Sequence, residues 1–529
     1  MRLPTFYEQN LIPNWGNPSN PTDYEIERLG TSGTDYLKTS DISKASDQTF
    51  YLDARVNYDR QFNLHHVTGM LMYMQREYRS SVLPERNQGF SGRFTYDYGQ
   101  RYLVELNFGY NGTERLAKKE RFEFFPAVSL GWVISNEKFF EPMTKYIDNL
   151  KIRGSYGLVG SDETGLSAGA QHFLYIDQVS LNNIGFTTGV DMNYTLYGPL
   201  VTNYAVVNGG WERVKKLDIG IDLELFRQLT ITADYFNEKR YNILLHREAW
   251  PESLGYYTAK PWSNKGKVDN WGIELSVNWR KEFTKDLYVD FRGNFTYTEN
   301  KYVNLDEPVY PYVWKTSTGK PLSRTTGYIA QGLFSSQEEI DNSPTQNLGS
   351  TVKPGDIKYR DVNGDGKIDG SDQVMISPYG TTPRIQYGLG MNVTYKKFDF
   401  GVFFNGSAKR TIMISGISPF GQSDYNVMQF IADDYWSESN PNPNAKYPRL
   451  GLTSSQTANN TVASTYWMRN GNFIRFKTLE LGYKFKYGRV YLNGDNIAVF
   501  SPFKLWDPEL SWNAYPLQRT FNIGVQLNF

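Results

Sequence analysis

The feature that most constrains this chain is a strict alternation of apolar and polar residues in many separate segments. From Leu217 to Leu225 every second residue is aliphatic, and the residues between them are Asp, Gly or Glu. The same pattern returns in segments that begin at Tyr102, Trp271, Tyr387 and Phe521. Successive side chains of a β-strand point to opposite faces, so each segment predicts a strand with one apolar and one polar face. About fifteen such segments predict an all-β, antiparallel fold.

The connections between these segments alternate in length. The short connections lie at residues 226–228, 283–287, 396–398 and 485–489. The long connections lie at residues 160–212, 247–267, 304–382 and 410–471. This alternation is typical of a transmembrane β-barrel of the outer membrane, which has tight periplasmic turns and long extracellular loops. One connection on the short side, residues 136–149, is longer than the others, and we expect a structured turn there.

A soluble antiparallel sheet with one solvated face would show the same alternation. Aromatic residues favour the membrane alternative, because they make up 16% of a chain whose mean hydropathy is −0.55. Several of them lie at strand ends, where an interfacial girdle would place them, including Tyr96, Tyr98, Trp211, Trp279 and Tyr297. The sequence has no apolar run of about 18 residues, so it predicts spanning by strands rather than by helices.

Charge and cysteine content exclude several classes of protein. Lys and Arg number 56 and Asp and Glu also number 56, so the formal net charge is zero. That balance argues against a nucleic-acid partner, because proteins that bind nucleic acids usually carry an excess of basic residues. The absence of Cys excludes disulfide scaffolds and thiol catalysis. The N-terminus lacks the features of a secretory signal, so we expect either a cytoplasmic protein or a sequence that begins downstream of its true start.

One loop has the spacing of a calcium-binding loop. Its oxygen ligands would be Asp361, Asn363, Asp365, the Lys367 carbonyl, Asp369 and Asp372, at positions 1, 3, 5, 7, 9 and 12. Position 12 is Asp rather than Glu and neither flank predicts a helix, so a complete EF-hand is not expected. The alternative is a turn whose Asp and Asn side chains cap their own backbone. If Ca²⁺ binds, the expected Kd is about 10⁻⁴ to 10⁻³ M.

No other residues form a recognisable catalytic or metal site. His65 and His66 are adjacent in a predicted strand and therefore point to opposite faces. No catalytic or nucleotide-binding motif occurs, so we predict that the chain is not an enzyme. The candidates for ligand contact are tryptophans of the long loops, namely Trp250, Trp262, Trp314, Trp436 and Trp506. The alternative for each of them is packing within its loop or against a partner protein.

Several segments together resemble one protein family. The first is GDIKYRDVNGDGKID, which spans residues 355–369. The others follow in the family's order at residues 125–132, 150–160, 264–279, 327–340, 440–450, 472–485 and 491–501. This combination resembles SusC-like (RagA-like) TonB-dependent outer-membrane transporters, from about residue 45 to the end of the chain.

The resemblance implies a plugged, 22-stranded barrel that imports an oligosaccharide or a peptide. Its implied partners are a SusD-like surface lipoprotein that acts as a lid, the TonB complex and outer-membrane lipid. The sequence departs from the family because the plug and the TonB-contacting segment are not recognisable in it. We therefore expect residues 49–529 to be the C-terminal part of such a barrel, preceded by a partial loop and strand segment at residues 1–48. We do not expect this stretch to transport by itself.

Two other functions remain open from the sequence. One is a soluble or surface-attached all-β carbohydrate-binding protein, which would not need detergent. The other is a secreted hydrolase on a β scaffold, whose turnover would be lost on substitution of one Asp or Glu. The sequence does not identify the imported nutrient, because specificity would depend on the shape of the loops.

Overall fold

The computed structural model describes residues 8–14, 23–29, 46–80, 84–163, 174–206, 209–251, 253, 261–414, 427–451, 453–510 and 514–528. The chain divides into two compact units, Met1–Leu52 with Arg76–Arg86 and Asp53–Gln75 with Asn87–Phe529. In the first unit, two short strands form an antiparallel pair in which Glu8 lies opposite Leu29.

Strands dominate both halves of the chain. In the first half they are β1 Glu8–Asn14, β2 Asp23–Leu29, β3 Gln48–Phe62, β4 His65–Arg79, β5 Glu85–Tyr98, β6 Tyr102–Thr113, β7 Phe122–Val133, β8 Ile147–Ser161, β9 Gln178–Thr188, β10 Tyr194–Asn203, β11 Glu212–Leu225, β12 Leu229–His246, β13 Trp262–Thr284 and β14 Leu287–Asn304. In the second half they are β15 Thr325–Gly327, β16 Ala330–Leu333, β17 Thr345–Gln346, β18 Ile357–Tyr359, β19 Lys367–Ile368, β20 Val374–Ser377, β21 Ile385–Tyr395, β22 Phe398–Ala408, β23 Thr411–Met413, β24 Met468–Asn470, β25 Phe473–Phe485, β26 Gly488–Phe500 and β27 Thr520–Leu527.

Helices are few and short. The α-helices are α1 Gln337–Asp341, α2 Gln429–Ala432 and α3 Ser454–Thr461. Short 3-10 helices occur at Ile134–Asn136, Lys138–Met143, Val313–Lys315 and Gly370–Asp372. Within the described parts of the chain, no helix has the length and apolar character needed to cross a bilayer.

Fifteen strands form one large antiparallel sheet. Their order is β27-β26-β25-β22-β21-β14-β13-β12-β11-β8-β7-β6-β5-β4-β3, so each strand lies beside its predecessor among the sheet strands. The other strands form separate pairs, such as the hairpin of β9 and β10 and the short pairs β15 with β20 and β23 with β24. The prediction of an all-β, antiparallel fold with about fifteen strands is therefore confirmed.

At one end of the sheet, which we call the turn end, consecutive strands are joined by very short links. Residues 226–228, 285–286, 396–397 and 486–487 make four of these links. Phe226 and Arg227 have φ of 56° and 53°, the left-handed values that a tight hairpin turn requires at its central residues. The longer link before β8 contains the 3-10 helices Ile134–Asn136 and Lys138–Met143, as expected for a structured turn.

At the opposite end, the loop end, the links are long and carry their own secondary structure. The loop predicted at residues 247–267 is shorter in the structure. It ends at residue 261, because β13 already begins at Trp262. The pairing of β12 with β13 is interrupted between Tyr241 and Leu245, opposite Gly266 and Ser263. These irregularities break the period of two, so the sequence pattern did not reveal the first residues of β13.

The most buried side chains lie in the long links rather than in the large sheet. They form one apolar core, the loop core, whose buried members are Tyr328, Leu333, Ile357, Tyr359, Ile368, Ile412, Ile414, Ile431, Trp436, Ala445, Tyr447, Trp467 and Phe503. Most of these residues come from the links 305–384 and 409–472. We call the described parts of residues 325–382 and 427–470 the loop assembly. It is a folded body with its own core at the loop end of the sheet.

The large sheet has one apolar face, and that face is exposed. On β13 the apolar side chains are Trp271, Ile273, Leu275, Val277 and Trp279. Ile273 and Leu275 are 44% and 37% exposed, and aliphatic and aromatic side chains on the neighbouring strands are exposed in the same way. Contiguous exposed apolar surface of this extent marks a face that contacts lipid or protein rather than water.

Candidate functional site

The apolar face forms a band with a sharp limit toward the loop end. In the register of β11 to β14, the row Ile221, Ala233, Leu275 and Phe295 lies at its middle. Toward the loop end the band stops at Trp271, and the next row on the same face is charged throughout, comprising Lys215, Lys239, Asp269 and Lys301. Toward the turn end the regular apolar run of β13 ends at Trp279, and Lys281 follows on the same face, opposite Val289 of β14. From Trp271 to Trp279 is nine residues; a tilted transmembrane strand needs about 9–11. Tryptophans at both limits match the aromatic girdles of outer-membrane barrels.

The opposite face of the sheet is polar and carries ion pairs. Arg153 on β8 contacts three carboxylates, Asp218 at 3.2 Å, Asp222 at 3.3 Å and Asp234 at 2.6 Å. Farther along the sheet, Arg489 pairs with Asp399 and Glu480, and these two carboxylates also line a hollow of about 640 Å³. Ser276, Asn278, Arg292, Asn294, Asn392, Thr394 and Phe403 line it as well. The polar face therefore offers hydrogen-bonding groups to whatever occupies the space beside it.

Two of the segments that carry the family resemblance meet in the loop assembly. Asp356 follows Gly355 in the first segment, and Arg449 lies 93 residues later in the segment at 440–450. The Arg449 Nε lies 2.7 Å from Asp356 Oδ1, and the Arg449 Nη2 donates to Asp356 Oδ2 at 3.1 Å. Asn460 Nδ2 also donates to Asp356, at 2.7 Å. The Asp356 carboxylate is fully buried, so this pair joins the two long links inside the loop assembly.

Buried amides extend this polar centre. Asn460 Oδ1 accepts from the Ile357 N–H at 2.9 Å, and Asn459 Oδ1 accepts from Gln346 Nε2 at 2.7 Å. The Gln346 Oε1 accepts from the Tyr359 N–H at 2.7 Å. Burial raises the pKa of Asp356, while the Arg449 charge acts in the opposite direction. The network satisfies backbone groups that short strands at the centre of the assembly would otherwise leave unpaired.

A capping interaction at α1 gives the loop assembly a dependence on pH. The Ser335 N–H and hydroxyl both donate to the Glu339 carboxylate, and the Lys358 ammonium lies 3.0 Å from it. These contacts lower the pKa of Glu339 to about 2. A carboxylate with a lowered folded-state pKa stabilises the fold above its unfolded value of 4.5, and this stability is lost as pH falls toward 2.

We expect amide exchange in α1 to accelerate, after correction for intrinsic rates, as the pH falls from 6 to 3. Glu339→Gln keeps an acceptor for the Ser335 N–H but removes the charge and the Lys358 ion pair, so it should abolish this pH dependence. Hydrogen exchange measured by mass spectrometry on the whole protein checks both effects, with Glu338→Gln as the neighbouring control. An unchanged pH dependence in Glu339→Gln would count against the assignment.

The Asp-rich loop is held by its own side chains. Asp361 accepts from the backbone N–H groups of Gly364 at 2.6 Å and Gly366 at 2.8 Å. Gly366 has φ of 79°, a conformation that favours glycine. Asp372 is fully buried and accepts from the Asp369 N–H at 2.9 Å, as part of a capping box with Asp369. These contacts are those of the Asp- and Asn-rich turn considered as the alternative to a calcium loop.

The remaining candidate ligands behave in the same way. Asn363 Oδ1 accepts from the Asp365 N–H at 3.1 Å, and Asp365 Oδ1 accepts from the Lys367 N–H at 2.9 Å. Within the described ranges, no group of three or more His, Cys, Asp and Glu side chains is arranged to hold a metal ion. An ionised carboxylate has about four acceptor positions, so capping uses only part of its capacity. Calcium binding by this loop stays a prediction.

Calcium binding would raise the melting temperature of the whole protein. At a calcium concentration ten times Kd, the expected stabilisation is about 1.4 kcal/mol. Asp361→Ala and Asp365→Ala should each abolish the difference between calcium and EDTA in a thermal melt. The EDTA melt of each variant is its own control, because both substitutions also remove a cap. A calcium shift that persists in both variants would dismiss the loop as a metal site.

Of the five candidate tryptophans, Trp436 belongs to the loop core and Trp506 packs against it. Trp436 is 5% exposed, and a Cβ added at Gly355 would lie 2.2 Å from its ring. Trp506 packs edge-on against Phe503 at 4.7 Å, and its N–H donates to the Leu510 carbonyl at 3.2 Å. For Trp436, burial favours the packing alternative over ligand contact.

The other three tryptophans lie on separate elements. Trp314 stacks on Tyr312 at 4.8 Å, and its N–H donates to the Ser371 carbonyl at 2.8 Å, beside the Asp-rich loop. Trp262 is a residue of β13 rather than of a loop, and its ring lies against His246.

Trp250 completes the set. The Arg247 guanidinium lies 4.9 Å from the centre of its ring. The five tryptophans therefore have different neighbours, and the structure joins only Trp436 and Trp506 in one cluster. Their role in ligand binding stays a prediction.

Comparisons with known proteins identify the family. The sequence model of the family described as "TonB dependent receptor-like, beta-barrel" matches residues 3–497. TonB-dependent receptor P3 of Formosa agariphila is 25% identical over 478 residues, which cover 83% of this chain and 45% of that protein. TonB-dependent receptor SusC of Bacteroides thetaiotaomicron is 27% identical over 469 residues, which cover 83% of this chain and 43% of that protein.

Solved structures agree on the fold. The structure of the RagAB peptide transporter superposes with a TM-score of 0.66 at 18% identity, covering 91% of this chain and 55% of that one. The chain spans less than half the length of the two curated relatives. The resemblance inferred from the sequence motifs is confirmed. The chain belongs to the TonB-dependent receptor-like β-barrel family, and it is a protein of the outer membrane.

Proposed function

We propose that this chain is the barrel portion of a TonB-dependent importer that takes up an oligosaccharide or a peptide through the outer membrane. The observation that carries the proposal is the combination, on one sheet, of a lipid-wide apolar band and a folded loop assembly at the loop end. A protein that only anchored itself in the membrane would need the band but not the buried core and buried ion pair above it. The loop assembly fits the task of holding a large ligand outside the cell.

The same features argue against the soluble alternatives. A soluble carbohydrate-binding protein or a secreted hydrolase would expose the band from Trp271 to Trp279 to water. The curated relatives are receptors, which supports a chain without a catalytic role.

We further propose the partners of this importer. The relationship to SusC and the likeness to the RagAB peptide transporter support a SusD-like surface lipoprotein as lid and the TonB complex as the source of energy. The family resemblance supports an oligosaccharide or a peptide as the ligand, and the likeness to the RagAB peptide transporter supports the peptide. The Asp-rich loop, which would face the outside, would meet extracellular calcium.

We also propose that the fifteen strands do not transport by themselves. Among the described strands, β3 and β27 form the two edges of the large sheet. A sheet edge in lipid leaves backbone N–H and C=O groups without partners, which costs several kcal/mol for each group. Import therefore requires further polypeptide that covers both edges.

Growth of the source bacterium tests the proposal. Deletion of the gene that contains this chain should abolish growth on one oligosaccharide or one peptide mixture as sole nutrient, and a wild-type copy should restore it. Growth on the corresponding monosaccharide or free amino acids is the control, because small nutrients cross by diffusion. Unchanged growth on every oligosaccharide and peptide tested, or recovery of the protein from the soluble fraction, would overturn the proposal.

A further inference from the structure

Four buried polar atoms without partners lie at one corner of the large sheet. They are Oδ1 of Asn405, Oγ of Ser407, Nε of Arg410 and Oδ1 of Asn472. We call these residues the Arg410 corner. Buried polar atoms in a native fold are nearly always hydrogen-bonded to protein or water, so such a group marks a place where water or a polar ligand group binds.

The strand register brings the four residues together. Asn405 and Ser407 are two residues apart on β22, so they share a face, and they lie opposite Arg475 and Phe473 of β25. The Gly471 N–H donates to the Arg410 carbonyl at 2.9 Å, which places Asn472, the residue between Gly471 and the start of β25, near Arg410. Ser407 is 5% exposed, so its hydroxyl has no direct access to bulk water.

Gly471 lets the Arg410 side chain lie close to the backbone. A Cβ added at Gly471 would approach Arg410 Cγ to 3.2 Å and Ile412 Cγ1 to 2.9 Å. A larger residue would push the Arg410 stem away from this position. The corner is therefore built around Arg410 rather than left open by loose packing.

The Arg410 charge has no ion-pair partner among the described residues. The nearby carboxylates are Asp507 and Glu509, and both are bound by Arg475, with contacts of 2.6 Å and 2.7 Å. Arg475 is 1% exposed, and its guanidinium donates to Glu509, Asn496 and Asp507 within the protein. Burial lowers the pKa of Arg410, while the charges of Asp507 and Glu509 act in the opposite direction. A carboxylate within hydrogen-bonding distance of the guanidinium would offset this burial.

Asn405 places the corner on the polar face of the sheet, because it shares a face with Phe403. Phe403 precedes Asn405 by two residues on β22 and lines the hollow of about 640 Å³. Two residues of strand span about 7 Å. A molecule held at the corner therefore lies next to this hollow, on the face opposite the apolar band.

We propose that the Arg410 corner binds a carboxylate group of the imported ligand. The planar guanidinium donates two parallel hydrogen bonds to a carboxylate, which neutral ligands cannot match. Ser407 donates or accepts a further bond, and the amide oxygens of Asn405 and Asn472 accept from hydroxyl or N–H groups beside the carboxylate. The carboxylate belongs either to a uronic acid of an oligosaccharide or to the C-terminus of a peptide. This inference rests on the importer function proposed above.

Binding of defined ligands to the purified, detergent-solubilised full-length protein tests the inference. One arm compares trigalacturonic acid with its fully methyl-esterified form, and the other compares tetra-alanine with tetra-alanine amide. In one arm, calorimetry should show the acidic form binding at least about tenfold more tightly than the neutral form. The arm that responds identifies the source of the carboxylate.

Variants at adjacent positions provide the control. Arg410→Gln should abolish the preference for the acidic form, and Arg410→Lys should retain part of it because the charge remains without the fork. Lys409→Gln removes a neighbouring positive charge whose Nζ lies 4.6 Å from the centre of the Tyr297 ring, and it should leave the preference unchanged. Comparison of melting temperatures excludes misfolding as the cause of a loss.

Three outcomes overturn the inference: neither acidic form binds, neither is preferred over its neutral form, or the preference survives in Arg410→Gln. Failure of the importer function is a separate result. A strain that imports its nutrient through a protein without this preference contradicts only the carboxylate site. A protein that shows the preference in a strain with unchanged growth contradicts only the importer.

Discussion

Replacing Arg449 by Met is expected to unfold the loop assembly while the large sheet remains intact. Arg449 neutralises the Asp356 carboxylate, which is fully buried. Removal of one partner from a buried ion pair leaves an uncompensated charge and costs about 3–5 kcal/mol. The effect should be confined to the loop assembly because Asp356, Arg449 and their amide partners all belong to it.

Limited proteolysis and hydrogen exchange on the purified protein would measure this effect. In Arg449→Met, residues 325–382 and 427–470 should lose protection, whereas β11 to β14 should keep it. Lys446→Met is the matched control, since Lys446 pairs with Asp434 at 3.4 Å and is 76% exposed, and such surface pairs contribute about 0–1 kcal/mol. Adding Asp356→Asn to Arg449→Met should recover part of the loss. Full protection in Arg449→Met would show that the pair does not hold the assembly.

Introducing Arg at Leu275 is expected to impair assembly in the outer membrane, whereas Arg at the next residue, Ser276, is expected to be tolerated. Leu275 lies in the middle row of the apolar band, and Ser276 points to the opposite face, where it lines the polar hollow. An arginine facing lipid near the middle of the bilayer costs about 2–4 kcal/mol. The two substitutions introduce the same residue at neighbouring positions, so only the face differs.

Outer-membrane fractionation and heat-modifiable mobility on gels would compare the two variants with the wild type. The amount of folded protein should fall for Leu275→Arg and stay near the wild-type amount for Ser276→Arg. Equal assembly of both variants would falsify the assignment of the apolar band to lipid. A loss restricted to Ser276→Arg would reverse the assignment of the two faces.

Much of the sheet was predictable because its strands repeat one simple rule. Where β11 and β13 alternate regularly, the sequence from Leu217 to Leu225 and from Trp271 to Trp279 reveals both the strand and its faces. The beginning of β13 escaped prediction because bulges near Gly266 disturb the alternation. The two-residue turns were predictable from the spacing of the strands alone.

The loop assembly was not predictable in the same way. Its strands have two to four residues, too few to show a period, and its core joins residues that are far apart in the sequence. Asp356 and Arg449 each lie in a segment that resembles the family, but no local pattern shows that they form a pair. The Arg410 corner was missed for a related reason, since an unpaired group is recognised only when all its neighbours are known. The candidate tryptophans show the opposite error. Trp436 was selected for ligand contact because of its residue type, but the structure buries it as a core residue.

The length of β13 has a consequence for what the cell presents to its surroundings. Nine of its residues, Trp262–Asn270, lie beyond the apolar band toward the loop end. At about 3.3 Å per residue they add about 30 Å of strand, or about 20 Å of height at a tilt of 45°. An antibody, a phage or a protease that approaches from outside would therefore meet a rigid, charged extension of the hydrogen-bonded strands before it reached the lipid. Such a surface resists cleavage, so epitopes and receptor sites on this flank would be conformational rather than linear.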